Sequence, residues 1–501
     1  MKRLFFLLTL AGGLALGGCE KDLDQTPISN GSVPDFYKTA ADFDQAMTAV
    51  YSQLRGYPDR EVILSELRSD NIYGISAIGS RDWDPINNFS ASLLPINPYV
   101  SDAWASDYSA IFRANTLLDQ LAANGAVAGS LRARYEGEAK FIRAFMYFDL
   151  VRKFGKVPVI DKSLLPQDVS TIPRSDVPAV YALIISDLQT AIANLPVSYT
   201  GNNIGRATAG AAKGILAQVY LTRSGPTYGI NGPGLASNEY DKAAVLLDDI
   251  IAARGTARYA LQPTYAGIFS PTAENNSEVL FDIQYIANGS VGGSFPNVVV
   301  PDGYYGLLGL TFTAGSVEIK PCSNDLVNTS YAATDLRKTF NIQTGYTYQN
   351  ITDVRPFCKK YVNVAAKGVS RTDWGINYIA LRYADILMMK AECLVRGVGG
   401  TATDAATLLT PIRTRAGQPA LTTLTLESLM EERRREFAGE NLRWNDLMRS
   451  GLALTVMNAW VPKDDVNNKI TRPITSNLLL YPVPQVELSS APGLYDQNPG
   501  Y

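Results

Sequence analysis

Histidine is absent from all 501 residues. That removes the commonest general base, every Ser-His-Asp or Cys-His arrangement and most zinc sites. Charge of one sign is also lacking, since 45 basic residues stand against 48 acidic ones. Without a basic block, the composition speaks against nucleic acid as a partner. Cysteine is scarce, and the spacing of Cys322, Cys358 and Cys393 fits no metal motif. Cys393 sits in an apolar helical run and reads as a buried thiol, whereas Cys322 and Cys358 could pair in an oxidising compartment. No metal-loop spacing is visible and no glycine-rich phosphate loop follows a strand, so no cofactor is implied. An enzyme built on this chain would have to work with carboxylates.

What is present begins at the N-terminus, MKRLFFLLTLAGGLALGGC. Lys2 and Arg3 form a charged start, and Leu4 to Leu16 an apolar run too short to span a bilayer. Leu16-Gly17-Gly18-Cys19 has the form of a bacterial lipobox. Residues 1–18 are then a signal peptide, Cys19 is lipidated, and residues 19–40 form a tether. An ordinary cleaved signal is the rival reading. Acyl chains on Cys19 would anchor the chain to a membrane without a transmembrane helix.

Apolar periodicity predicts helices over 42–55, 102–123, 131–154 and 176–194, the last with Ser175 as its cap. The helix over 131–154 is apolar around most of its circumference, as expected of one packed on two sides. A connector, Gly56 to Tyr99, is rich in Asp, Asn, Ser, Gly and Pro, and one of this length inside a compact domain is usually functional or disordered. Helices over 207–225 and 238–253 carry the small-large pattern of a tetratricopeptide pair, and the pattern recurs over 382–397 and 404–417. A Gly-, Tyr- and Asn-rich insertion of loops and small strands, about 256–376, splits the repeat. The fold expected is mainly α, with tetratricopeptide-like hairpins over 41–255 and 377–451 in a single domain spanning 41–501.

The densest stretch is Glu431 to Gly451, EERRREFAGENLRWNDLMRSG. Positions 433, 436, 437, 440, 443, 444 and 447 share one side at helical spacing, mixing opposite charges with Phe437, Trp444 and Leu447. This predicts a charged network tucked against a neighbouring helix, in which arginines hold the carboxylates, with Gly439 at a helix junction or a close backbone approach. Glu436 and Glu440 are one turn apart, as a glycosidase pair could be. Surrounding arginines should lower their pKa, the wrong direction for a general acid.

That run closely resembles the C-terminal hallmark of the SusD/RagB family, outer-membrane nutrient-binding lipoproteins of Bacteroidetes. Arg143-Ala144 and Phe154-Gly155-Lys156-Val157-Pro158 resemble a second hallmark, and Gln497-Asn498-Pro499-Gly500-Tyr501 the family's usual ending. The acidic run after Cys19 resembles the tether of surface-exported lipoproteins. The resemblance implies a non-enzymatic receptor, lipid-anchored in the outer membrane and facing the exterior. It would capture oligosaccharide or polysaccharide for a SusC-like TonB-dependent transporter. Rival readings are an oligopeptide receptor of the RagB kind, a carboxylate-based glycoside hydrolase and a purely structural module.

Sugar capture needs flat aromatics beside hydrogen-bonding groups. The residues expected to supply them are Arg81, Trp83, Asn71 and Tyr73 in the connector, with Tyr304, Tyr305 and Trp374 in the insertion. Each has a plainer reading: Trp83 could pin its loop, Asn71 cap a turn and Trp374 staple a helix. Trp104 and Tyr108, one turn apart on a helix, read as core.

Overall fold

The computed structural model describes residues 36–75, 79–253, 255, 258–289, 291–310, 320–465 and 467–501. The expected signal peptide, Cys19 and most of the tether lie outside the described residues. Helix α1, Ala40–Ser52, opens on a capping box between Thr39 and Asp42 and buries Phe43, Met47 and Val50. Helix α2, Pro98–Ala123, starts before Asp102 because the Asn97 side chain accepts from the Tyr99 and Val100 amides. Helix α3, Gly129–Phe154, is buried continuously from Phe141 to Val151 and packs between α2 and α4, Val177–Asn194. It stops at Gly155, whose φ is +69° and whose missing Cβ would meet the Asn231 carbonyl oxygen at 1.9 Å. Ser175 does not cap α4. The cap position is Asp176, and the Ser175 amide instead donates to the Val157 carbonyl at 2.9 Å.

The two hairpins form as the small-large pattern predicts. They are α5, Ala209–Ser224, with α6, Tyr240–Ala252, and α7, Tyr383–Val395, with α8, Ala402–Arg415. Ala212, Ala217 and Ala243 are fully buried where α5 and α6 approach, and α6 stacks on α7 across the insertion. Strand β1, Val279–Ile283, will pair antiparallel with β4, Tyr378–Arg382, from Val279↔Arg382 to Ile283↔Tyr378, closing the insertion at its base. Between them, β2, Ile342–Tyr348, and β3, Ile351–Cys358, form a hairpin. Its turn is Gln349-Asn350, both at positive φ as a tight hairpin turn requires. The protein is mainly helical, with two two-stranded sheets among the described residues.

The hallmark run is two helices, not one continuous face. Helix α9, Leu426–Phe437, ends where Gly439 (φ +80°) and Asn441 (φ +67°) turn the chain into α10, Arg443–Ser450. The charged residues still converge, because the turn folds α10 back towards α9. Arg382, at the end of β4, donates to Glu278 and Glu436 at 2.9 Å each and to Glu440 at 2.8 Å. Arg415 bridges Glu278 at 2.6 Å and Glu436 at 2.8 Å, while Lys360 reaches Glu440 at 2.7 Å. One network therefore ties the insertion, the second hairpin and the hallmark together.

The connector is not an open loop. Arg60, Glu61, Glu66, Arg68, Asp70 and Asn71 are all buried, within short helical turns such as Tyr57–Glu61. Asp70 accepts from Arg443 at 2.7 and 2.9 Å, and its carbonyl from Arg434 at 2.7 Å. The C-terminal ending is docked as well: Asn498 donates to the Phe154 carbonyl at 2.9 Å and accepts from Arg174 at 2.6 Å.

Candidate functional site

Paired carboxylates come first, because they alone could support hydrolysis. Glu436 and Glu440 are 1% and 2% exposed. Burial alone would raise both pKa values. Arg415, Arg382 and Arg337 hold the Glu436 carboxyl well below the usual range, and Arg382 and Lys360 lower Glu440. Neither can hold a proton for a leaving group at neutral pH, so the pair is structural. Among the described residues, no cluster of His, Cys, Asp and Glu could hold a metal ion.

Four of the seven expected ligand contacts are withdrawn from solvent. Asn71 is fully buried, donating to Glu66 and accepting from Arg434, both at 2.9 Å. Trp83 is 3% exposed, with the Lys320 ammonium 5.2 Å from its ring centroid. The ring fills the space that a side chain at Gly74 would need, coming within 1.9 Å of an added Cβ. Tyr305 donates to the Pro296 carbonyl at 3.2 Å and lies 6.3 Å from the Trp374 ring, both residues fully buried. The Trp374 indole donates to the Arg371 carbonyl at 2.6 Å. These four side chains pack the interior instead of facing solvent. Trp374 is no staple either, since β4 intervenes before α7. Trp83→Ala is therefore expected to cost roughly 3–5 kcal/mol of stability, as for other buried aromatics. Chemical denaturation checks this, and a change under 1 kcal/mol would return Trp83 to the surface.

Tyr73, Arg81 and Tyr304 remain partly exposed. Arg81 stands on the turn before Asp84–Asn87, its amide donating to Asp84 at 2.7 Å. Tyr73 lies on the segment whose amide donates to the Pro321 carbonyl at 3.1 Å, directly in front of the Trp83 ring at Gly74. Tyr304, on the short helix Asp302–Leu307, sits 5.0 Å from the Phe357 ring and 6.0 Å from the Tyr346 ring of the hairpin. Burial raises the phenol pKa of both Tyr73 and Tyr304, so each stays a neutral hydroxyl.

Arg355 joins these pieces. Its guanidinium is held in a fork by Asp353, at 2.9 and 2.6 Å, and its side chain is 37% exposed. The hydrogen bonds it donates to Asp353 do most to raise its pKa, burial opposes them, and the nearby Tyr73 and Tyr346 hydroxyls add to the rise. Tyr304 and Tyr346 meet edge to face, and Tyr73 and Tyr346 act on the Arg355 charge, so that with Asp353 these partly exposed side chains form one strip around an ion pair. Sequence reasoning missed Tyr346, Asp353 and Arg355. The signal was there in GYTYQNITDVRPF, where a two-residue turn at Gln349-Asn350 sets which side chains share a face. A separate cleft of about 250 Å³ lies between Trp104, Tyr108, Phe112 and Tyr495, and none of the seven expected residues lines it.

Comparison with known proteins matches this chain at both ends. The profile described as the SusD family matches residues 323–501, and one described as starch-binding, associating with the outer membrane, matches residues 23–221. A SusD-like protein of Formosa agariphila is 27% identical over 524 residues, covering 97% of this chain and 98% of the relative. A solved laminarin-binding SusD-like protein superposes with a TM-score of 0.74 at 25% identity, covering 93% of this chain and all of its own. Surface glycan-binding protein A from Bacteroides uniformis gives 0.77 at 25% identity, over 92% of this chain and 100% of that one. The chain belongs to the SusD/RagB family.

Proposed function

We propose that this protein is a cell-surface receptor that binds extracellular oligosaccharide or polysaccharide and delivers it to a SusC-like TonB-dependent transporter. The observation that carries this reading is the Tyr73–Arg355–Tyr346–Tyr304 strip on a chain of this family. Tyrosine faces stack on the apolar faces of sugar rings, and a fixed guanidinium–carboxylate pair takes the hydroxyls between them. The protein acts by binding, and the energy for import lies with the transporter. A lipid on Cys19 would hold it on the outer membrane, with residues 41–501 working as one unit. Laminarin is the first glycan to try, because a relative of the same fold is a laminarin-binding protein.

Retardation in native gels containing laminarin, starch and a wider polysaccharide panel tests this. The reading expects one glycan to slow the protein while leaving a non-binding standard unaffected. Free migration through every gel, together with calorimetric binding of oligopeptides, would move the ligand to peptides. Co-purification of a TonB-dependent barrel from membranes tests delivery separately.

A further inference from the structure

The sugar-binding reading leaves Cys322 and Cys358 without a role. Their Sγ atoms lie 3.3 Å apart, and each residue is 2% exposed. Their backbones are fixed by neighbouring segments. The Cys322 amide donates to the Pro356 carbonyl at 2.8 Å, and Cys322 bridges to Ile72 on the other side. Cys358 pairs with Ile342 in the hairpin, and Gly439 of the hallmark turn comes within 3.6 Å of its sulfur when given a Cβ. Three segments distant in sequence meet at these two sulfurs, and a disulfide of about 2.05 Å asks the 3.3 Å gap to close by little more than ~1 Å. Cys393 is remote on α7, inside an apolar helical core.

We infer that Cys322 and Cys358 are joined by a disulfide when the protein is made in an oxidising compartment. The bond closes between the segment that abuts Ile72-Tyr73 and the hairpin that carries Tyr346 and Arg355, so it pins the two halves of the strip to each other. Burial raises the Cys322 thiol well above its ordinary pKa, with Cys358 adding to the shift. The folded Cys322 thiol is therefore a poor nucleophile and both sulfurs are buried, so oxidation belongs to the folding stage, before they are covered. The oxidant is a disulfide-bearing oxidoreductase. One cysteine thiolate attacks its disulfide and expels one of its thiolates. The second cysteine thiolate then attacks the mixed disulfide and expels the other. Two protons and two electrons leave the cysteines, and the oxidoreductase departs as a dithiol. Once buried, the bond resists reductants that reach the surface.

The test makes the full chain twice, once exported to an oxidising compartment and once retained in a reducing cytoplasm. Each sample is alkylated in denaturant without reductant and mapped by mass spectrometry. In the exported protein, a peptide linking Cys322 to Cys358 is expected, with Cys393 alkylated. In the cytoplasmic protein Cys322, Cys358 and Cys393 should each be alkylated. Cys322→Ser should free Cys358 for alkylation and lower the melting temperature of the exported protein to that of the cytoplasmic form. Should that variant not fold, the wild-type map still decides. Alkylation of both Cys322 and Cys358 in folded exported protein would overturn the inference, whatever the protein binds.

Discussion

Arg382→Ala is expected to destabilise the protein by roughly 3–5 kcal/mol, the range for breaking a buried ion pair from one side. The whole stability of a domain is only about 5–15 kcal/mol, so much of the variant should be unfolded at physiological temperature. The guanidinium is 1% exposed and serves Glu278, Glu436 and Glu440 together. Its removal leaves those carboxylates to Arg415, Arg337 and Lys360, none of which can cover the vacated positions. Arg382→Lys should recover little, because one ammonium cannot donate along three directions in the plane of a guanidinium. Circular dichroism through a urea titration reads the effect. A loss under 1 kcal/mol would mean that apolar packing, not this network, holds the insertion to the hallmark.

Asp282→Asn is expected to act in the opposite direction, raising stability at pH 8 by about 2–4 kcal/mol. The wild-type carboxyl is pushed up to about 7 by burial, aided by Glu274 and opposed by hydrogen bonds from Asn377 and Gln284. The folded state therefore holds its proton more tightly than the unfolded chain, where the group titrates near 4. That contribution is complete below pH ~4 and is lost as pH rises towards 7. Glu274 and Asp59, both pushed up to about 6 by burial, add to the same slope, so the variant should flatten it without abolishing it. Asp70 slopes the other way. Burial opposes its charge, but Arg434 and Arg443 hold its carboxyl at about 2, so its contribution is lost as pH falls below ~4. Unfolding midpoints of both proteins from pH 4 to 8 check this. An unchanged slope in the variant would place the alkaline limb elsewhere.

Much of the fold was legible because it repeats local rules. The small residues of α5 and α6 announce a close helical pair, and the arginines of α9 and α10 announce a buried network. The connector was misread because the partners of its polar residues are remote. Asp70 looks like a loop aspartate until Arg443 is beside it, 373 positions away. The candidate site suffered in the same way. Tryptophan suggests a stacking platform, yet whether Trp83 is exposed depends on Gly74 and Lys320 closing over it. Tyr304 and Tyr305 are adjacent and look equivalent, but consecutive positions on a short helix point apart, and only Tyr305 enters the core. Tyr346 and Arg355 went unnoticed because their shared face depends on the hairpin register.

A tyrosine–arginine strip that binds sugar must lose affinity when its rings are removed. Its most direct test is calorimetric titration of the glycan that retards the wild type into the wild type and Tyr304→Ala/Tyr346→Ala. Loss of two stacking faces is predicted to weaken binding at least about tenfold, a change of about 1.4 kcal/mol, in a variant whose circular dichroism and hairpin proteolysis match the wild type. Equal affinity in a folded variant would contradict the account and place the sugar elsewhere on the molecule.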